Sequence, residues 1–373
     1  MSKVLVTGGA GFIGSHLTDK LLERGLAVRV LDALERPTHT SDTPLNLDPR
    51  AEFLRGEVGD EQLLERALDD VEVIFHLAAT GGFRAGVSRY VERNSLHTAR
   101  LIDVLAARRE RPRRIIVASS VAVYGEGAYR CPDDGEVQVA ARRAADLTRG
   151  RFEPRCPRCG GEVSLEPTRE TRGVSPERPY SLSKYDQERI VLNAADELGV
   201  EAVALRYFVT FGPRQALTNP YTGVLSLFAN RIRHGLAPVV YEDGMQSRDF
   251  VDVDDLVAAH LLVLDAKQIP HRVMNVGSGR ATTLEGLARE VARALGSNIK
   301  PEVPGRFRLG DVRHITADIS RIAGLGYRPK LSLRQGVERY VAWLSSQPEV
   351  PDGFADAERE VAASGLLGEV HGS

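Results

Sequence analysis

Tyr180 and Lys184 are the residues whose types and spacing most directly indicate proton-transfer chemistry. They stand four positions apart at the start of a segment, residues 180–197, that predicts a helix. Side chains four positions apart share one face of a helix, so the phenol and the ammonium can converge. A nearby cation favours the phenolate and lowers the pKa of a tyrosine, which would suit Tyr180 to act as a general base. The Y-x-x-x-K pattern is weak alone, but it gains weight from Ser120, which ends a predicted strand upstream.

A glycine-rich turn near the N-terminus indicates a binding site for a pyrophosphate. The glycines, spaced G-x-x-G-x-x-G, are Gly8, Gly11 and Gly14. The turn leads into a predicted helix, residues 12–24, whose N-terminus would point backbone N–H groups and a positive dipole at phosphate oxygens. The next predicted strand, residues 27–31, is followed by Asp32, an acidic residue placed to accept the ribose hydroxyls. The first arginine after Asp32 is Arg36, too late to hold a 2′-phosphate, so we predict NAD rather than NADP.

Strands alternate with helices through the first half of the chain, which predicts a doubly wound parallel α/β sheet of the Rossmann type. Ligands bind at the carboxyl ends of the strands in such sheets. Glu57 could meet the adenine there, whereas His76 is interpreted as a core histidine. Asn94, within a predicted long helix at residues 87–109, could bond a neighbouring backbone. The candidate cofactor residues are Gly8, Gly11, Phe12, Ile13, Gly14, Asp32, Glu57, Val58, Leu77, Ala78, Ala79, Tyr180, Lys184 and Tyr207.

Length and composition are those of an ordinary soluble enzyme. The chain has 373 residues, 42% of them hydrophobic and 27% charged, and its formal net charge of −2 gives no field that would favour nucleic acid. No apolar run approaches the length of a membrane span, and the first strand begins too early to leave room for a signal peptide. Three cysteines do not make a disulfide framework. We therefore expect a cytoplasmic protein without membrane or nucleic-acid partners.

The pattern predicts an α/β domain at residues 1–206, a smaller C-terminal α/β lobe at 207–346 and a loosely packed tail at 347–373. Within the lobe we expect a short strand at 238–241 and a basic loop at 306–313. A guanidinium matches a diphosphate better than an ammonium does. The candidate substrate residues are Val209, Asn219, Arg231, Arg248 and Arg308.

The α/β rhythm is interrupted by an insertion, about residues 126–179, that holds all three cysteines. Cys156 and Cys159 form a C-x-x-C pair of the kind found in zinc knuckles. Cys131 begins a second stretch with the same spacing, but Asp134 stands where another cysteine would be expected. The pattern allows either a structural zinc site with three cysteines and one aspartate, or a zinc ribbon that has lost its metal and kept its fold. Basic residues beside the knuckle also leave a nucleic-acid role open.

Five motifs together resemble the extended short-chain dehydrogenase/reductase superfamily, in particular its nucleotide-sugar epimerases. They are TGGAGFIG (7–14), HLAA (76–79), SSVAVYG (119–125), YSLSK (180–184) and SRDFV (247–251). A narrower group, the dTDP-L-rhamnose 4-epimerases, is similar in three further stretches, two of which bear cysteines. These are GEGAYRCP (125–132), GRFEPRCPRCGGE (150–162) and NPYTGVLSLF (219–228).

The resemblance implies a mechanism in which NAD takes a hydride from C4 of the sugar and returns it to the opposite face. Tyr180 would remove and return the O4 proton, Ser120 would hydrogen-bond the same oxygen, and Lys184 would tune Tyr180. It also implies a nucleotide-sugar substrate and a homodimer through the helices at 87–109 and 180–197. Two positions depart from the family pattern: Val209 replaces the usual asparagine, and Glu57 replaces a frequent aspartate.

Other functions compete with epimerisation. A reductase of 4-keto-6-deoxysugar nucleotides would use the same residues but consume external NAD(P)H. A 4,6-dehydratase is disfavoured, because Val121 and Ala122 follow Ser120 where that chemistry usually has an Asp-Glu pair. A decarboxylase of UDP-glucuronate is possible, although the insertion argues against it. An NAD-binding regulatory protein is the non-enzymatic alternative, which loss of Tyr180 or Lys184 would have favoured.

Overall fold

The computed structural model describes residues 3–81, 86–217 and 223–371. Its centre is a seven-stranded sheet in which every pairing is parallel, as the alternation of strands and helices predicted. From edge to edge the strands are Val273–Val276, Glu201–Tyr207, Arg114–Ser120, Val71–His76, Lys3–Thr7, Ala27–Asp32 and Glu52–Arg55.

Helices cover both faces of the sheet because successive strand residues point to opposite faces. Val4 packs on one side and Leu5 on the other, and both are buried. The helices on the Val4 side are Phe12–Glu23 and Val253–Asp265. Those on the Leu5 side are Glu61–Ala67, His97–Ala107 and Pro179–Leu198. None of the helices in the described ranges is long and apolar enough to cross a membrane.

The long helix predicted at 87–109 contains a local change of winding. It consists of α-helix at Val87–Tyr90, π-helix at Val91–Leu96 and α-helix at His97–Ala107. Asn94 lies in the π segment, where its Oδ1 accepts from Thr80 N at 2.7 Å and its Nδ2 donates to Ser183 Oγ at 2.9 Å. A π segment holds more residues per turn than an α-helix, so it shifts the side chains of this turn relative to the rest of the helix. The predicted bond from Asn94 to a neighbouring backbone is confirmed.

The C-terminal lobe packs three helices against a small sheet. The helices are Val224–Arg233, Leu284–Ala294 and Leu333–Ser345. The strands, in sheet order, are Val209–Phe211, Ser247–Asp252 and Ala281–Thr283. A short helix, Ser320–Gly324, lies between the second and third of these helices in sequence. The strand predicted at 238–241 is wrong, because among the described residues this segment makes only a single bridge, between Val239 and Glu302, which is too short a pairing to form a strand.

The C-terminal tail is ordered, contrary to the expectation of loose packing. It forms a helix, Phe354–Ala363, and a strand, Leu367–Glu369, that pairs antiparallel with Arg306–Arg308. The start of the predicted basic loop at 306–313 is therefore a strand. Ala357 and Val361 lie four positions apart on the tail helix and are both buried, which gives the tail an apolar stripe to bury.

The insertion folds as a small antiparallel sheet rather than as long elements. Its strands are Ala128–Cys131, Gly135–Val137 and Ser164–Glu166, with the first in the centre. A short turn of 3-10 helix, Val121–Tyr124, leads into it, and a four-residue helix, Ala144–Leu147, lies between its second and third strands.

Candidate active site

The sheet brings Ser120 and Tyr180 together although they are 60 positions apart in sequence. Ser120 is the last residue of its strand, and Tyr180 lies in the first turn of the helix Pro179–Leu198. The two side chains are close enough to interact. Burial raises the pKa of Tyr180, and the nearby Ser120 hydroxyl lowers it only in part. The two hydroxyls are thus positioned to share one oxygen atom of a substrate.

Lys184 lies one helical turn after Tyr180 and is buried. Its Nζ donates to Gln187 Oε1 at 2.5 Å, and Gln187 in turn donates to Ala78 O at 3.1 Å. Burial lowers the pKa of Lys184 to about 7. The Glu188 carboxylate has the opposite, smaller effect on this pKa. We expected Lys184 to lower the pKa of Tyr180. In this structure the pKa of Tyr180 is raised, chiefly by burial, and the Lys184 Nζ bonds Gln187.

A cleft at the carboxyl ends of the strands brings together twelve of the fourteen predicted cofactor residues, whereas Tyr180 and Lys184 are not among the described residues that line it. The cleft is lined by Gly8, Gly11, Phe12, Ile13, Gly14, Asp32, Glu57, Val58, Leu77, Ala78, Ala79 and Tyr207. His76 lies beneath it, fully buried, with its ring nitrogens 2.8 Å from Thr7 Oγ1 and 2.9 Å from Thr98 Oγ1. Burial lowers the pKa of His76 to about 3, so this histidine is neutral and belongs to the core, as we predicted.

The glycine turn packs so tightly against neighbouring backbone that side chains at two of its positions would collide with it. A Cβ on Gly14 would lie 2.2 Å from Gly8 O, and one on Gly8, whose φ is +70°, would lie 2.8 Å from Ala78 N. Asp32 ties the turn to the second strand, since it accepts from Ala10 N at 3.0 Å and Leu34 N at 2.9 Å. The carboxylate is therefore held at the position where the ribose hydroxyls of NAD would lie.

The cleft also contains side chains that the sequence patterns did not reveal. Arg93, from the π segment, forms an ion pair with Glu57. Arg89, from the same helix, pairs with Glu35 at 2.5 Å. His39 lies 3.5 Å from Asp32. No local pattern marks these residues, because their place in the cleft depends on how a distant helix and a loop pack.

Two of the predicted substrate arginines lie in one neighbourhood. Arg308 binds Asp311 at 2.7 Å through Nε, and Asp311 is also among the charges that act on Arg248. Burial lowers the pKa of Arg248, whose Nη1 donates to Ser247 O at 2.9 Å and Arg313 O at 3.2 Å.

The other predicted substrate residues have different surroundings. Arg231 donates to Ala237 O at 2.7 Å and pairs with Asp352 of the tail at 2.9 Å. Val209 begins the strand beside Phe250. Asn219 lies outside the described residues. A role in substrate binding remains a prediction for all five positions.

Comparison with known proteins agrees with this geometry. The family model for the NAD dependent epimerase/dehydratase family matches residues 4–144 and 159–277. A dTDP-L-rhamnose 4-epimerase from Burkholderia thailandensis is 33% identical over 92% of this chain and 95% of its own. A putative UDP-glucose 4-epimerase from Methanocaldococcus jannaschii is 31% identical over 92% and 98%.

Solved structures show the same relationship. A UDP-glucose 4-epimerase from Thermotoga maritima with UDP-glucose has a TM-score of 0.74 and 30% identity, over 92% of this chain and 98% of its own. A Thermus thermophilus UDP-glucose 4-epimerase in complex with NAD has a TM-score of 0.73 and 28% identity, over 93% and 100%. The chain therefore belongs to the NAD-dependent epimerase/dehydratase family.

Proposed function

We propose that this chain, an NAD-dependent 4-epimerase of nucleotide sugars, acts on dTDP-L-rhamnose or a closely related nucleotide 6-deoxysugar. The convergence of Tyr180 with Ser120, which ends a strand of the sheet that also forms the dinucleotide cleft, carries the proposal of the reaction. The choice of sugar is supported by the similarity to the Burkholderia thailandensis enzyme and by the motif stretches that flank the cysteines.

The proposed reaction assigns one proton path to the residues of this chain. Tyr180, as phenolate, accepts the proton of the sugar O4, while Ser120 donates a hydrogen bond to the same oxygen. NAD supplies a reversible acceptor for the hydride of C4. The 4-keto sugar then rotates in the site so that its opposite face receives the hydride, and Tyr180 returns the proton to O4. Because burial raises the pKa of Tyr180, the phenolate needs positive charge nearby, from Lys184 and from the oxidised nicotinamide ring.

Bound NAD would be held by the residues that line the cleft. The glycine turn would meet the pyrophosphate, and Asp32 the adenosine ribose. Lys184 would reach the nicotinamide ribose. Since each turnover regenerates NAD, the protein should need no external reductant.

The decisive experiment is incubation of the purified protein with dTDP-L-rhamnose and no added nucleotide, followed by NMR. We expect a C4 epimer to appear, with UDP-glucose and dTDP-glucose run in parallel as substrate controls. An epimer of UDP-glucose only would refute the proposed sugar and keep the reaction. Turnover of a 4-keto-6-deoxysugar nucleotide only with added NAD(P)H would establish the reductase instead.

We also propose a homodimer in the cytoplasm. Four large apolar side chains are exposed on the two helices that the resemblance assigns to a dimer interface. They are Val87, Val91, Leu96 and Leu182. A dimer through these helices would cover them. Light scattering should give twice the mass of one chain, and Leu182→Glu should reduce it to that of one chain.

A further inference from the structure

Four metal-ligating side chains converge in the insertion, which lies between Ser120 and Tyr180 in sequence. One ligand atom from each of Cys131, Asp134, Cys156 and Cys159 lies within 4.8 Å of every other. The Cys131 and Cys159 sulfurs are 3.5 Å apart. Asp134 Oδ2 lies 3.1 Å from the Cys156 sulfur and 3.7 Å from that of Cys131. A disulfide would need about 2 Å between sulfurs, so the two thiols are not bonded.

These separations match the edges of a tetrahedron around a small soft cation. With zinc–sulfur distances of about 2.3 Å, two sulfurs on one tetrahedral zinc are roughly 3.8 Å apart. The site offers three sulfurs and one carboxylate oxygen, all of them atoms that zinc accepts.

The C-x-x-C pair has the backbone of a metal-binding knuckle. Gly160 N donates to Cys156 O at 2.9 Å, and Cys156 N donates to Gly161 O at 2.9 Å, which closes a tight turn. Gly160 has φ of +73°, a conformation that favours glycine. Gly161 N donates to the Cys159 sulfur at 3.4 Å, so a backbone dipole stabilises negative charge on that sulfur.

The second pair has the same layout. Cys131 ends a strand, Asp134 follows three positions later, and Gly135 comes next with φ of +72°. Arg158 Nη1 donates to Asp134 O at 3.3 Å, which binds one turn to the other and brings positive charge to an anionic ligand set. The two turns thus face each other as two halves of one site.

We propose that Cys131, Asp134, Cys156 and Cys159 bind one zinc ion with a structural role. Four protein ligands complete a tetrahedron and leave no position for a substrate. The apolar core beside the site is small: Tyr129, Cys131, Val137, Val139 and Cys156. A core of this size stabilises a separate sheet only weakly, so a metal cross-link would supply what hydrophobic burial does not.

The insertion also touches the lobe that carries the candidate substrate arginines. Glu126 Oε1 and Oε2 accept from Arg313 N, each at 3.0 Å. Arg142 Nη2 lies 2.8 Å from Glu242 Oε1, and Glu153 lies 2.9 Å from Arg313 Nε. Loss of zinc should therefore loosen these contacts while the dinucleotide cleft stays intact.

Metal analysis by mass spectrometry, on untagged protein from zinc-supplemented medium, tests the proposal directly. We expect about one equivalent of zinc per chain, which Cys156→Ser should lose. Asp134→Asn should weaken zinc retention against a competing chelator, and Asp133→Asn, the matched control one residue earlier, should leave it unchanged. Asp134→Cys should hold zinc at least as tightly as the parent. The proposal would be overturned if the purified protein held less than one tenth of an equivalent of zinc per chain and bound no more when zinc was added.

Two further measurements use the parent protein, so they test the site even if the variants fail to fold. Cobalt added to the metal-free parent should produce a thiolate-to-cobalt charge-transfer band and the intense visible absorption of tetrahedral cobalt. Three cysteines should react with a thiol reagent in metal-free protein, and zinc should protect them. A Cys131–Cys159 disulfide, or equal zinc retention in the Asp134→Asn and parent proteins, would refute the site. Since none of these readouts uses a sugar substrate, their failure is distinguishable from failure of the proposed reaction.

Discussion

Glu188→Gln should destabilise the fold by about 3–5 kcal/mol, the usual cost of breaking a buried ion pair from one side. Glu188 accepts from Arg206 at 2.9 Å and 2.6 Å and from Ser119 Oγ at 2.7 Å. The two charged side chains are only 1% and 5% exposed. Glutamine can keep a bond with Ser119, but it leaves the Arg206 guanidinium buried without a counter-charge. It should also lower the pKa of Lys184 below about 7, because Glu188 is the charge that raises it.

The coupling energy between Glu188 and Arg206 can be measured by urea unfolding of Glu188→Gln, Arg206→Met and the double variant. The double variant should be less destabilised than the sum of the single variants, because no charge is then left unpaired. Asp265→Asn, which breaks the exposed pair with Arg24, serves as the control and should leave the midpoint unchanged. A Glu188→Gln cost below about 1 kcal/mol, or strict additivity in the cycle, would refute the reasoning.

Three further predictions follow from the cleft. Tyr180→Phe should reduce turnover by about 10²–10⁴-fold while NAD, assayed after denaturation, stays bound; undiminished turnover would exclude Tyr180 as the base. Gly14→Ala should abolish co-purification of NAD, since its Cβ would lie 2.2 Å from Gly8 O, whereas Gly324→Ala, with nothing within 4 Å and no left-handed backbone, should retain it. His76 has its pKa lowered from 6.5 to about 3, so the unfolded chain binds the extra proton and stability falls as the pH drops between those values. His76→Gln should remove about 1.4 kcal/mol per pH unit from that slope near pH 5 in urea titrations, and an unchanged slope would contradict a buried neutral histidine.

The fold class and the dinucleotide cleft could be predicted from the sequence because both depend on local patterns. Strand–helix alternation determines a parallel sheet, and the carboxyl ends of its strands necessarily meet at one edge. Gly8 and Ala78 follow strands of that sheet and Asp32 ends one, so their convergence follows from topology alone. The family could also be predicted from the sequence, since its motifs are short and contiguous.

Packing between distant segments decided the rest. The tail folds back to engage Arg231 through Asp352, which precedes the tail helix, although the sequence of the tail is polar enough to suggest a loose end. Arg93 enters the cleft because a π segment reorients its helix, and Lys184 bonds Gln187 because burial removes water as a partner. These outcomes depend on which surfaces of distant segments pack against each other and exclude water. That property belongs to the assembled chain, and no local pattern of residues encodes it.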